Sequence, residues 1–291
     1  MSQNSNIVTI GLIQMSMTTD MQSNIAKGVA WVEKAAQAGA KIICLPELFS
    51  THYFPCEEEQ ASFELAEPMT GNAVQVMQEL AKKLEVVIIV PIFEKRASGL
   101  FHNSAAVIDA DGEVLGTYRK MHIPDDPHFY EKYYFTPGDL GFKAFKTRYA
   151  KIGVLICWDQ WYPEAARLTA LAGAEIIFYP TAIGWLPTER DEQAALQLNA
   201  WKTIQVSHAI ANGVYVASAN RVGQESVTKF WGNSFITNPE SKVLAQANQD
   251  EENILIAKCD LERVNSFRQE WPFLRDRRID AYGDIQSRFI D

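Results

Sequence analysis

The chain has 291 residues, of which 47% are hydrophobic and 22% charged, a mix that supplies an ordinary soluble globular protein with ample apolar side chains for a large core. Its 27 basic and 36 acidic residues leave a net charge of −9, which disfavours nucleic acid or an anionic membrane as partner. No run of about 18 apolar residues is present to span a bilayer, and the polar start Met1-Ser2-Gln3-Asn4-Ser5-Asn6 lacks an export signal, so a cytoplasmic location with reduced thiols is expected.

Ile7 to Ile13 is short, apolar and β-branched, and predicts a buried strand. Ile25, Val29, Val32 and Ala36 then recur at helical spacing, with Gly39 as the stop and Lys41 to Pro46 as the next strand. Val74, Met77, Leu80 and Leu84 mark a second helix, followed by a strand from Val86 to Ile92. Strands alternating with helices predict an α/β fold.

The second half repeats the first. Ala38-Gly39-Ala40-Lys41-Ile42-Ile43 matches Ala172-Gly173-Ala174-Glu175-Ile176-Ile177. Asn103-Ser104 followed by Val114-Leu115 matches Asn233-Ser234 followed by Val243-Leu244, at offsets of 134, 130 and 129 residues. Two sheets, each with helices on its outer face, would bury their bare faces against each other, giving a four-layer α-β-β-α sandwich with internal pseudo-symmetry. No Pro/Gly/Ser linker divides the halves, so residues 1–291 are read as one domain.

The chemistry-bearing residues fall at strand ends. Cys157 ends the strand Lys151 to Ile156 and precedes a helix opened by Pro163. A cysteine at such a turn, near exposed N–H groups, is placed to become a thiolate and to stabilise an oxyanion, whereas Cys44 reads as a core residue. Glu47 follows the strand Lys41 to Pro46, and Lys120 closes Val114 to Arg119. A nucleophile, a base and a cation thus stand at strand ends, the edge where ligands of α/β sheets gather. Cys44, Cys56, Cys157 and Cys259 form no CxxC pair, the five histidines form no HxH or HExxH, and GxGxxG and GxxxxGK[ST] are absent. No metal or organic cofactor is expected.

Leu45-Pro46-Glu47, Tyr118-Arg119-Lys120-Met121-His122-Ile123-Pro124 and Ile156-Cys157-Trp158-Asp159 together resemble the catalytic motifs of the nitrilase, or carbon–nitrogen hydrolase, superfamily. The likeness runs from about Ile7 to Arg275-Asp276-Arg277-Arg278. It implies the same sandwich fold, Glu47 as general base, Lys120 as transition-state stabiliser, Cys157 as nucleophile, and no cofactor. Glu131 resembles the second glutamate that positions the lysine and substrate; the other reading is a partner for Lys132 or Arg119.

Residues 122–138 resemble the N-carbamoyl hydrolases, and 181–187 with 208–217 are most similar to the N-carbamoylputrescine amidase branch. That implies hydrolysis of a small cationic carbamoyl amine to putrescine, carbon dioxide and ammonia. Asp125, Asp126 and Glu189 are the candidate carboxylates for the substrate ammonium. Tyr53, Phe54, Trp158 and Trp185 are candidate walls, with Ala182 beside them. Another N-carbamoyl compound or an ω-amide is the alternative; a carboxylate substrate would need a facing arginine such as Arg190 or Arg221. A non-catalytic binding module is the reading from a different class, opposed by the intact Glu47, Lys120 and Cys157. The resemblance also implies a homo-oligomer, with the tail from about 265, including Trp271-Pro272-Phe273-Leu274, at an interface or folded back on its own subunit.

Overall fold

The two Ala-Gly-Ala junctions fold alike, down to their hydrogen bonds. The computed structural model describes residues 6–189 and 191–291. In the first junction Gly39 takes φ +94° and Ala40 N–H donates to Ala35 O at 3.1 Å; in the second Gly173 takes φ +100° and Ala174 N–H donates to Thr169 O at 3.3 Å. A left-handed residue there reverses the chain from helix to strand, which glycine does without a Cβ penalty.

The first half runs β1 (Ile7–Gln14), α1 (Met21–Gln37), β2 (Ile42–Cys44), α2 (Asn72–Leu84), β3 (Val87–Ala97), β4 (Leu100–Ile108) and β5 (Val114–Arg119). Asp20 caps α1 by accepting from Gln22 N at 2.9 Å and Ser23 N at 3.3 Å. A short helix α3 (Glu131–Tyr134) leads to the second half: β6 (Ala144–Lys146), β7 (Lys151–Val154), α4 (Pro163–Leu171), β8 (Ile176–Thr181), β9 (Gly184–Trp185), α5 (Asp191–Asn212), β10 (Tyr215–Asn220), β11 (Val222–Glu225), β12 (Thr228–Trp231), β13 (Phe235–Thr237) and β14 (Val243–Gln246). Then come β15 (Asn253–Asp260) and α6 (Leu261–Glu270).

One sheet has the order β15-β1-β2-β3-β4-β5 and the other β14-β13-β10-β8-β7-β6. Each holds three parallel strands, two antiparallel strands on one side and one on the other. The expected pseudo-symmetry is therefore present strand for strand. Alternation in β3 shows the layering: Val87 and Ile89 belong to the core shared with the second sheet, while Ile88 and Val90 pack with α1 and α2 residues such as Val32 and Met77. Burial on both faces explains why these strands read as continuous apolar runs. A small sheet, β11-β12-β9, was not anticipated; it stands beside the carboxyl ends of the second sheet's strands.

Candidate active site

Three connections that leave strand carboxyl ends converge. Glu47 follows β2, Lys120 follows β5 and Cys157 follows β7, and all three are buried. Lys120 Nζ lies 2.8 Å from Glu47 Oε1 and 2.7 Å from Glu131 Oε2, with no solvent exposure of its own. Glu131 opens α3 and receives Tyr53 OH at 2.8 Å; Asn103 Nδ2 donates to Glu47 Oε1 at 2.7 Å. Glu47 Oε2 is buried and has no hydrogen-bond partner among the described residues. Gly138 N–H donates to Lys120 O at 2.8 Å, and a Cβ there would lie 2.2 Å from Arg119 O, so only glycine lets the two segments meet.

Cys157 begins a 3₁₀ turn, Cys157–Trp161, with φ +44°, an uncommon backbone for a non-glycine residue and one that clusters at functional sites. Asp159 holds this elbow. Its carboxylate accepts Ile156 N–H at 3.0 Å, Tyr118 OH at 2.7 Å and His122 N–H at 3.0 Å, and pairs with His122 Nδ1 at 2.7 Å. The elbow of the second sheet is thus tied to the segment that carries Lys120 from the first.

Burial and the charge of Glu47 push the Cys157 thiol well above its usual range, against the pull of Lys120. This corrects the expectation of a favoured thiolate: the strand-end position is shut from water, and two carboxylates outweigh one ammonium. The thiol rests protonated and needs a base. Burial alone would depress Lys120, but Glu131 and Glu47 hold it above its usual value. Glu131 is pushed up by burial to about 7, Lys120 pulling it down and Glu47 pushing it up.

Beside Cys157 opens a cavity of about 370 Å³, walled by Phe129, Trp158, Trp161, Ile183, Leu186 and Trp231. Cys157 Sγ contacts Ala182 O at 3.7 Å. The charged residues among its described lining are Asp126, Glu131 and Glu189; no described arginine, lysine or histidine lines it. Glu189 is half-buried, accepts Leu186 N–H at 2.8 Å and is bonded by Gln197 Nε2.

Four residues expected to touch a substrate do not line the cavity. Tyr53 is buried and serves Glu131 instead, and Phe54 stacks on Phe93 at 4.8 Å in a neighbouring aromatic cluster. Asp125 and Asp126 are both exposed, and of the two only Asp126 lines the cavity. Trp185 alternates with Gly184 on β9; its indole donates to Ala194 O at 3.2 Å and packs on Trp231 at 5.3 Å. Trp158, Ala182 and Glu189 do line it. Arg221 is fully buried with its guanidinium bonded to Glu225 and to backbone, so it cannot face a substrate carboxylate; Arg190 lies outside the described residues. Sequence reasoning also left Asn103 unassigned: it stood out as a repeat marker, and only its place on β4 beside β3 and β5 brings it to Glu47.

The carbon-nitrogen hydrolase family profile matches residues 9–269. The chain belongs to the carbon–nitrogen hydrolases. Within that family it is 46% identical to an N-carbamoylputrescine amidase of Solanum lycopersicum, over 97% of this chain and 96% of that one. It is 39% identical to a citrullinase of Francisella tularensis, over 97% and 99%. A crystal structure of a carbon-nitrogen hydrolase from Helicobacter pylori G27 superposes with a TM-score of 0.94 at 45% identity, covering 98% of this chain and all of that one. The chain has the nitrilase fold and is an amidase of this family.

Proposed function

We propose that the enzyme hydrolyses N-carbamoylputrescine to putrescine, carbon dioxide and ammonia. The observation that carries this reading is the sign of the cavity: Cys157 sits at one part of a largely apolar pocket whose described charged lining is three carboxylates. A ureido compound with an ammonium at its far end suits that field, and one ending in a carboxylate would meet repulsion.

Glu47 takes the thiol proton as Cys157 Sγ attacks the ureido carbon, and Lys120 with the backbone N–H of Trp158 holds the tetrahedral oxyanion. Collapse breaks one C–N bond, and Glu47 passes its proton to the departing nitrogen. Water then gives a proton to Glu47 and attacks the thiocarbamate carbon; the C–S bond breaks and the proton returns to the sulfur. The carbamate so released loses carbon dioxide, leaving the amine. Glu131 fixes Lys120 throughout, and Tyr53 fixes Glu131. Glu189 pairs with the substrate ammonium while Trp158, Trp161 and Leu186 cover the methylenes. Such a charge-assisted contact contributes about 1.5–3 kcal/mol, or roughly one to two decades in kcat/KM.

Ammonia release from N-carbamoylputrescine and from N-carbamoyl-β-alanine tests the reading. Wild type is expected to favour the amine strongly, and Glu189→Gln to lose about one to two decades of that preference. A wild-type preference for the carboxylate substrate overturns the function, while an unchanged preference in the variant removes Glu189 and turns attention to Asp126.

A further inference from the structure

The segment from Glu47 to Tyr53 is buried apart from half-buried His52, yet belongs to no sheet and no α-helix. Its carbonyls therefore need partners that no ladder supplies. One side chain from the second half serves three of them. Arg221, directly after β10, donates from Nε to Glu47 O at 3.1 Å and from Nη2 to Leu48 O at 2.7 Å and Thr51 O at 3.0 Å. Its Nη1 makes two bonds of 2.9 Å to Glu225 at the end of β11. All five N–H groups are used, and the guanidinium carbon lies within 5.8 Å of the Tyr53 and Phe230 ring centres.

Glu225 closes the arrangement. Its Oε2 also accepts Tyr53 N–H at 2.7 Å, and Tyr53 OH donates to Glu131. A continuous circuit results: Arg221 to the Glu47 backbone, the Glu47 carboxylate to Lys120, Lys120 to Glu131, Glu131 to Tyr53, Tyr53 to Glu225, and Glu225 back to Arg221. Leu48, at the centre of the gripped segment, is held at φ +50°, a conformation the chain keeps only when its surroundings impose it. The preceding residue works on the opposite wall: Asn220 Oδ1 accepts Ile183 N–H at 3.0 Å and Asn220 Nδ2 donates to Ile183 O at 3.0 Å, next to the Ala182 that meets Cys157.

We infer that Arg221 and Glu225 are a positioning pair that sets both carboxylates flanking Lys120, Glu47 through its backbone and Glu131 through Tyr53. The inference rests on the reading of Glu47 as the base that takes the Cys157 proton. The pair touches no substrate and acts on the proton-transfer step, so its loss is expected in kcat and not in KM. Lysine cannot replace the fork, since a point charge with three donors reaches neither the planar pattern nor all the acceptors.

Glu225→Gln decides the matter, because it keeps the side chain's size and removes the charge and one acceptor oxygen. Ammonia release from N-carbamoylputrescine, thermal unfolding, and the rate of Cys157 alkylation by iodoacetamide are measured for it, for Arg221→Lys and for Glu47→Gln. The expected result in folded Glu225→Gln is a kcat lower by about ten- to hundredfold with KM within about threefold, as a displaced reacting group costs, together with slower alkylation. Arg221→Lys is expected to show the same split more strongly. A kcat within about twofold of wild type in folded Glu225→Gln, or a rise in KM alone, overturns the inference. If Glu47→Gln is inactive while Glu225→Gln is unimpaired, the positioning role alone fails; if Glu47→Gln keeps turnover, the assignment of the base fails first.

Discussion

Replacing Lys120 by methionine removes the single ammonium between two buried carboxylates while keeping most of the side chain's length. In the wild type its Nζ sits 2.8 Å from Glu47 and 2.7 Å from Glu131, and none of the three side chains is more than 1% exposed. Breaking a buried pair by deleting one partner costs about 3–5 kcal/mol. At about 2–4 °C per kcal/mol for a large domain, that is a fall in Tm of roughly 6–20 °C. The fall depends on pH. With the cation gone, burial and mutual repulsion raise the folded-state values of the carboxylates above the roughly 4.3 of an unfolded glutamate. A group so raised gives stability that is complete below the unfolded value and is lost as pH rises through the folded one. Glu131 already sits at about 7, and removing the ammonium that pulls it down carries it higher. Thermal unfolding should therefore show a small deficit near about pH 5 and a larger one near about pH 8, still growing as pH rises through the raised Glu131 value. Glu131→Gln added to Lys120→Met should restore part of the Tm and none of the turnover, which the loss of an oxyanion donor lowers by about 10²–10³. A deficit equal at both pH values, or turnover within about tenfold of wild type, refutes the account.

Cys157→Ser should fold and lose hydrolysis, and iodoacetamide labelling of Cys157, followed by mass spectrometry, should keep rising with pH above the ordinary thiol range, because burial raises that thiol; a plateau near neutrality would contradict this. Cys44→Ala, at a fully buried position inside β2, should lower Tm and leave kcat unchanged. Asp159→Asn replaces a carboxylate that accepts two backbone N–H groups and Tyr118 OH, so it should lose about 1.5–3 kcal/mol in urea unfolding and lower kcat by loosening the Cys157 elbow. Dialysis against EDTA should leave the rate of ammonia release unchanged, since every proposed step uses water and groups of the chain itself.

The parts of this molecule that depend on local pattern were readable before any coordinates. The Ala-Gly-Ala junctions gave away the repeat because a helix-to-strand reversal needs one left-handed residue at a fixed place. Glu47, Lys120 and Cys157 were legible because each ends an apolar strand, and the carboxyl edge of a sheet is where such ends meet. What remained hidden depends on contacts across the two halves. Arg221 reads from sequence as a receptor for a substrate carboxylate; its location after the apolar strand Tyr215–Asn220 hints at burial, but its backbone acceptors lie more than a hundred residues away. Tyr53 and Trp185 read from sequence as cavity walls because aromatic residues near strand ends fill either role, and only packing decides. The Cys157 thiol differs for a related reason: the sequence shows the strand-to-helix turn with its exposed N–H groups, while the burial that raises the thiol is a property of the assembled sheets.

The pairing of β15 with β1 has a consequence for the order in which the enzyme comes into being. These strands are joined residue by residue, from Ile7 with Asp260 to Gln14 with Asn253. On a ribosome β1 emerges before every other described strand and its neighbour after all of them, so this sheet carries an open edge until β15 is made. The equivalent edge of the other sheet is closed by β6, made immediately before β7. The half bearing the nucleophile can thus complete its sheet while the chain is still being extended. The half bearing the base and the lysine waits for residues 253–260, and a nascent chain stopped before them would hold all the residues of the site on an unfinished support.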